Sequence, residues 1–362
     1  MNRLYNFSAG PSMLPAEVLL EAQEDLVSYK GCGSSVMEMS HRSKYYEPII
    51  KEAEQTLRDI MHITDDYYVL FLQGGASLQF SMLPMNLANK GDVTAYAITG
   101  NFAKKAWEEA KRWTKAEVVT NGAENGFKNI PEIKPELIPE GAKYLHITGN
   151  NTIFGTAYNT LPNAGNTPLV ADWSSGILGR NINVNDYAAI YAGAQKNMGI
   201  AGLTVVIIKK DIVNGDLAPE IPTMLRYDVM AKNDSMYNTP PAFAIYMAGL
   251  VFKWVKAQGG VEAMEKKNAE KATLLYDYLD ASKMFTPVAA KKDRSDMNVT
   301  FTLPDEELTK AFLKMAEGRE MINIKGHRSV GGCRASIYNA MPVEGVKTLV
   351  QCMNDFEKGI RE

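Results

Sequence analysis

Seven short apolar runs lie between Tyr68 and Lys209: YVLFLQ, DVTAYAIT, AEVVT, KYLHIT, TPLVAD, AAIYAGA and LTVVIIK. Helix-patterned stretches such as ASLQFSMLPMNLA and FAKKAWEEAKRW separate several of them. A strand that is apolar on both faces needs cover on both, and interleaved helices supply it in a largely parallel sheet. The pattern predicts an α/β layer structure on a mostly parallel, seven-stranded sheet. LTVVIIK is the exception. It follows AAIYAGA after a short glycine-containing link, too short for a helical crossover, so it is expected to run antiparallel.

At 362 residues the chain exceeds what one compact core usually holds, so two domains are expected. PAEVLLEAQEDLVSY, started by Pro15, and YYEPIIKEAEQTLRDIM read as amphipathic helices near the N-terminus. AFAIYMAGLVFKWVKAQ and VEAMEKKNAEKATLLYDYLDASK form a long helical section. Beyond it the texture changes to NVTFTLP, EELTKAFLKMAEGR, RASIY and VEGVKTLVQCMNDFEKG, a strand–helix–strand–helix order. The expected division is a large domain over residues 1–281 and a small C-terminal α+β domain over 282–362.

A net charge of −3, from 39 basic and 42 acidic residues, argues against a broad nucleic-acid footprint. MNRLYNFSAGPSMLP lacks the apolar core and cleavage pattern of a secretion signal, and runs such as LTVVII are too short to span a bilayer. Cys32, Cys333 and Cys352 are odd in number and scattered, which points to reduced thiols in a cytoplasmic protein. His41, His62, His146 and His327 show no metal-site spacing, so no metal is expected.

Lys196 has an unusual address, between AAIYAGAQ and the apolar LTVVIIK. A solvated lysine at a strand end fits that address. So does a Schiff-base lysine, whose neutral form desolvation favours and which attacks a carbonyl. Asp172 ends TPLVAD, and in a parallel sheet both residues can reach the edge where strand carboxyl ends face a crevice. A lysine and a carboxylate there suit pyridoxal phosphate, the lysine binding its aldehyde and the carboxylate keeping the pyridine nitrogen protonated. A structural ion pair has the same spacing. QGGAS, Gln73 to Ser77, joins a strand to a helix, as a phosphate cradle or as a plain tight turn. No GK[ST] follows it, which disfavours a nucleoside triphosphate. SHRS, Ser40 to Ser43, and HRSVGGCR, His327 to Arg334, lack the acidic i, i+4 partners of a solvated helix face. Their arginines either bind carboxylate or phosphate or are ordinary surface arginines.

In order along the chain, NFSAGPSMLP, MSHRSKYY, FLQGGASLQF, ADWSSGI, YAGAQKNMG, YNTPPAF and GHRSVGGCRASIYNA resemble the phosphoserine aminotransferases. These are pyridoxal-phosphate enzymes of the class V aminotransferase group, and the resemblance covers essentially the whole length. It implies a fold-type I pyridoxal-phosphate transferase whose N-terminal segment contributes to the active site. It implies that Lys196 carries the cofactor as an imine and that Asp172 pairs with the pyridine nitrogen. Gln195 and Thr152 would be further cofactor contacts, and Ala76 and Ser77 would hold the phosphate. Asn238 and Thr239, in YNTPP, would reach that phosphate from the neighbouring subunit of a homodimer with shared sites. His41, Arg42, His327, Arg328 and Arg334 would receive the substrate's carboxylate and phosphate. Phe102 stands where many members stack a tryptophan on the ring, and it offers a face without an indole N–H. Trp107 is expected to pack on its own helix.

The implied reaction moves an amino group reversibly between glutamate and 3-phosphooxypyruvate, giving O-phospho-L-serine and 2-oxoglutarate in serine biosynthesis. The phosphorylated hydroxythreonine of vitamin B6 synthesis, 4-phosphohydroxy-L-threonine, is a candidate second substrate. The alternatives are another class V enzyme such as a cysteine desulfurase, with Cys333 as a thiol activated beside Arg334, or a non-catalytic fold relative.

Overall fold

A computed structural model describes residues 3–213 and 217–361 of the chain. Its main sheet has seven strands in the spatial order Tyr67–Leu72, Thr204–Lys209, Ala189–Gly193, Leu169–Asp172, Leu145–Thr148, Val93–Ile98, Lys115–Asn121. Thr204–Lys209 is antiparallel to both of its neighbours, and the other pairings are parallel. The short link after Gly193 explains this, because a chain that turns back at once can only pair antiparallel. Leu145–Thr148, Leu169–Asp172 and Ala189–Gly193 are buried at every residue, as central parallel strands with helices on both faces must be. Lys115–Asn121 is mostly solvated because it forms an edge.

One face of the sheet packs against Glu47–Met61 and Ala242–Ala257. The second of these helices is buried along most of its length, which suits its nearly unbroken apolar sequence. The opposite face packs against Gly75–Leu87, Asn101–Ala110 and Tyr227–Lys232. The result is a three-layer α/β/α body.

A separate core gathers Leu275, Phe285, Val299, Phe301, Phe312, Ala335, Leu349 and Phe356. Its three-stranded sheet runs Thr286–Pro287, Asn298–Thr302, Cys333–Ser336, and the last two of these, with Glu306–Gly318 and Val343–Arg361, follow the strand and helix order read from the sequence. Phe285 and Phe312 meet edge to face at 5.0 Å, the favoured geometry for buried rings. Asp305 caps Glu306–Gly318 by accepting from the Leu308 N–H at 2.7 Å. Two elements of this unit have no sequence signal. Tyr5–Asn6 pairs parallel with Met321–Ile322, and Phe7 is fully buried in the same core. The N-terminus is thereby sewn into the C-terminal unit.

Lys271, only 2% exposed, donates to the carbonyls of Ile337, Tyr338 and Met341 at 2.9, 2.7 and 3.1 Å. Burial pulls its pKa down to about 7. Three acceptors nonetheless match the three N–H donors of the charged form, which favours the ammonium. Among the described residues, no helix is long and apolar enough to cross a membrane.

Candidate active site

The strands ending at Leu72, Ile98, Thr148, Asp172 and Gly193 finish along one edge of the sheet, and the segments leaving that edge carry most of the candidate residues. Lys196 follows Gly193 in a turn closed by Met198 N–H and Gly199 N–H, which donate to the Ala194 carbonyl at 3.1 and 2.9 Å. Its Nζ donates to Thr152 Oγ1 at 2.7 Å and lies 5.2 Å from the centre of the Phe102 ring. Thr152 is buried, so the amine rests in a pocket instead of bulk water. Desolvation lowers the Lys196 pKa to about 8, opposed by Asp172 and assisted by Arg334. The neutral amine is therefore within reach near neutral pH. Gln195, beside it, is partly buried, and its carbonyl accepts from Ser12 N–H at 3.0 Å.

Asp172, only 5% exposed, accepts from the Ser174 N–H at 2.9 Å. Burial raises its pKa, while Lys196 and Ser174 hold it down. Among the described residues it makes no ion pair. A buried carboxylate with one backbone donor is a demand for a cation. Tyr191 is its register partner on the next strand and meets His146 Nε2 at 2.9 Å. The Tyr96 ring stacks on His146 at 5.0 Å, and the Tyr96 and Tyr144 hydroxyls are 2.6 Å apart. Desolvation drives the His146 pKa to about 3, so this buried polar layer stays neutral beneath the site. Nothing in the sequence marks this layer, because KYLHIT has the pattern of any other buried strand.

Gly74 and Gly75 have φ of 90° and 65°, conformations L side chains rarely adopt. A Cβ on Gly74 would also meet Leu78 at 2.4 Å. Gly74 caps Gly75–Leu87 with no side-chain acceptor, leaving the first-turn N–H groups of Ala76 and Ser77 open to an anion. Ser77 is exposed and Ala76 partly so. Gln73 Nε2 donates to the Thr239 carbonyl at 3.2 Å, so the Tyr237–Pro241 loop lies beside this turn within one chain. Asn238 and Thr239 are themselves exposed.

Arg334 sits in Cys333–Ser336, partly buried, and its buried Nε has no partner among the described residues. Desolvation lowers the His327 pKa, and Arg334, Arg328 and Lys105 push it the same way. That cluster is bound to the helix bearing Phe102 through Asn101 Nδ2, which donates to Ser329 Oγ at 3.5 Å. Arg328 and Arg42 are exposed, and the buried Nε2 of His41 has no partner among the described residues. Among the described residues, no hydrogen bond or ion pair joins His41 or Arg42 to the Lys196 group.

The N-terminal segment lies against the lysine. Ser12 Oγ donates to the Lys196 carbonyl, and a Cβ on Gly10 would stand 3.1 Å from Lys196 Cγ. Tyr338 OH donates to the Ala9 carbonyl at 2.8 Å. NFSAGPSMLP is expected from the resemblance to contribute to the active site, but Gly10, Ser12 and Tyr338 carry no individual signal in the sequence. Trp107 Nε1 donates to the Ala116 carbonyl at 2.9 Å, so that ring packs away from the lysine. Cys333 contradicts the thiol nucleophile considered above. It is 1% exposed in the second core, and desolvation pushes its thiol up to about 12.

This donor set suits one kind of group: an aldehyde at Lys196, a cationic ring nitrogen at Asp172, a flat ring beside Phe102 and an anion on the glycine turn. The family model described as class V aminotransferase matches residues 4–349. The chain is 52% identical over 357 residues to a Bacillus cereus protein named phosphoserine aminotransferase, with 99% of each covered. Phosphoserine aminotransferase from Bacillus circulans subsp. alkalophilus superposes with a TM-score of 0.95 at 45% identity, over 99% of both chains. The pyridoxal-phosphate-bound phosphoserine aminotransferase of Trichomonas vaginalis gives a TM-score of 0.91 at 38% identity, covering 97% of this chain and 100% of that one.

Proposed function

The chain belongs to the class V aminotransferases, a fold-type I family, and from that premise we propose that it exchanges amino groups between glutamate and 3-phosphooxypyruvate. The products are 2-oxoglutarate and O-phospho-L-serine, and the step serves serine biosynthesis. The observation that carries this reading is the meeting of Lys196 and Asp172 at one sheet edge, with the unpartnered guanidinium Nε of Arg334 close by.

Pyridoxal phosphate, when bound, supplies an aldehyde that links to amines and a ring that withdraws electrons from the substrate α-carbon. Lys196, Asp172, Thr152, Gln195 and Phe102 would hold its ring and aldehyde, and Ala76 and Ser77 its phosphate. Asp172 would set its carboxylate against the ring nitrogen. Lys196 Nζ would be the amine that links to that aldehyde and, once exchanged for the substrate amine, the base that takes up and gives back the α-proton. Its lowered pKa leaves that amine ready to accept a proton near neutral pH. Thr152 Oγ1 fixes where Nζ waits. His327, Arg328 and Arg334, with His41 and Arg42, supply donors and positive charge for the carboxylate and phosphate of the substrate. The scattered unpaired cysteines suit a reducing cytoplasm.

A half-reaction series tests this. Added singly, glutamate and O-phosphoserine should bleach the visible band of the lysine-bound cofactor, and alanine should not. A persulfide formed from cysteine, or a protein that never shows the band, would replace this reading with one of the alternatives. Bleaching by 4-phosphohydroxy-L-threonine would extend the substrate range.

A two-domain division after residue 281 is part of the same reading; the second core supports a second unit, although Phe7 and Leu275 and Leu279 of Gly260–Ala281 also pack into it. So is a homodimer with shared sites. Val27, Met37 and Leu20 are 83%, 59% and 47% exposed, an apolar excess that a second copy would cover. Asn238 and Thr239 would then serve the partner's phosphate. Co-expressing Lys196→Ala with a chain bearing Asn238→Glu and Thr239→Glu decides the point. Shared sites place both defects in one half of the heterodimer and neither in the other, restoring about half of wild-type activity per dimer. The Gln73–Thr239 contact within one chain favours the opposite outcome, no restoration, if each loop serves its own site.

A further inference from the structure

Three asparagines join the loops that carry Lys196, Asp172 and Arg334. Asn197 follows Lys196; its Nδ2 donates to the Ile177 carbonyl at 2.8 Å, and its Oδ1 accepts from Asn339 N–H at 3.0 Å. Asn339 Nδ2 donates to the Leu178 carbonyl at 2.8 Å, and its Oδ1 accepts from Asn268 Nδ2 at 2.8 Å. Asn268 Nδ2 also reaches the Gly179 carbonyl at 2.9 Å. Ile177, Leu178 and Gly179 lie in the turns that follow Asp172, and Leu178 is held at a φ of 60°, strained for a branched side chain. Asn339 stands just past Cys333–Ser336, the strand bearing Arg334. The chain on either side of it is clamped by Lys271 through the carbonyls of Ile337, Tyr338 and Met341.

Among the described residues, no ion pair joins Lys196 directly to Asp172. Their spacing is therefore set by the backbone turns that hold them, and Asn339 bonds to both. Small displacements of reacting groups cost rate steeply. We propose that Asn339 is a positioning residue, which fixes the Lys196 turn against the Asp172 turn and ties both to the strand bearing Arg334. This rests on the roles given above to Lys196 and Asp172.

Asn339→Ala removes the donor to Leu178 and the acceptor for Asn268, while Asn339→Asp keeps the acceptor alone. The holoenzymes are compared with Phe312→Leu, a substitution in the second core that lowers thermal stability far from the lysine. For each, the melting temperature, kcat, KM and the pH midpoint of the visible band of the lysine-bound cofactor are measured. That midpoint reads the surroundings of Lys196, chiefly Asp172, Arg334 and Thr152. Both Asn339 variants should shift the midpoint by about half a unit or more. Their kcat should fall about tenfold or more with KM little changed. Phe312→Leu should lower the melting temperature and leave the midpoint in place. Asn339 variants that melt early but keep the wild-type midpoint and kcat overturn the proposal. Should Asn339→Ala fail to fold, Asn339→Asp decides by the same measurements. A wild type that glutamate does not bleach defeats the aminotransferase reading instead, while the midpoint shift in the same samples still decides the positioning role.

Discussion

Lys196→Ala leaves a folded protein with no measurable transamination. The loss is expected to reach about 10⁴-fold or more, since the same amine both binds the cofactor and moves the proton. After borohydride treatment the wild type retains the cofactor covalently, and the variant releases it on denaturation. The fold should survive because Lys196 makes a single side-chain hydrogen bond, to Thr152, and is already penalised by desolvation. Losing that bond costs about 1 kcal/mol, partly offset by removing a poorly solvated amine. Circular dichroism and thermal melting against wild type separate a dead site from a dead fold. Turnover near the wild-type rate would remove Lys196 from the chemistry.

The sheet was legible because its evidence is local. Each central strand is a short apolar run, and the tight link after Gly193 announced the antiparallel strand Thr204–Lys209. Lys196 and Asp172 were legible for the same reason, as polar residues at the ends of such runs. The pairing of Tyr5–Asn6 with Met321–Ile322 was not, because two-residue strands have no period to detect. The asparagine knot was equally silent: Asn197 and Asn339 bond across 142 positions of sequence, and an asparagine in a loop looks the same whatever it holds. The SHRS and HRSVGGCR loops look alike in sequence, and within one chain they stand in different surroundings. Arg334 acts on His327 and on Lys196, whereas Arg42 stands exposed in a separate turn. Motif text records residue types and order, and only tertiary packing decides which arginine faces which anion.

That difference predicts unequal losses for Arg334→Ala and Arg42→Ala. Arg334 is partly buried, desolvation lowers its pKa, and its Nε has no partner among the described residues. Its charge is felt at Lys196, the point where the substrate α-carbon must sit. On the proposed function, a guanidinium there would meet the α-carboxylate, which glutamate and O-phosphoserine share. Removing a buried charged partner costs about 2–5 kcal/mol, or roughly 30- to several-thousand-fold in affinity. Arg334→Ala should therefore lower kcat/KM by about that factor for both substrates alike. Exposed Arg42 is screened, so its truncation should cost less, and only for the substrate carrying the phosphate dianion. Steady-state kinetics with each amino donor in turn, beside an absorbance titration of cofactor content, give the two ratios directly. A loss confined to O-phosphoserine in Arg334→Ala would move that arginine from the carboxylate to the phosphate. Equal, unchanged ratios in both variants would take the cationic loops out of substrate recognition altogether.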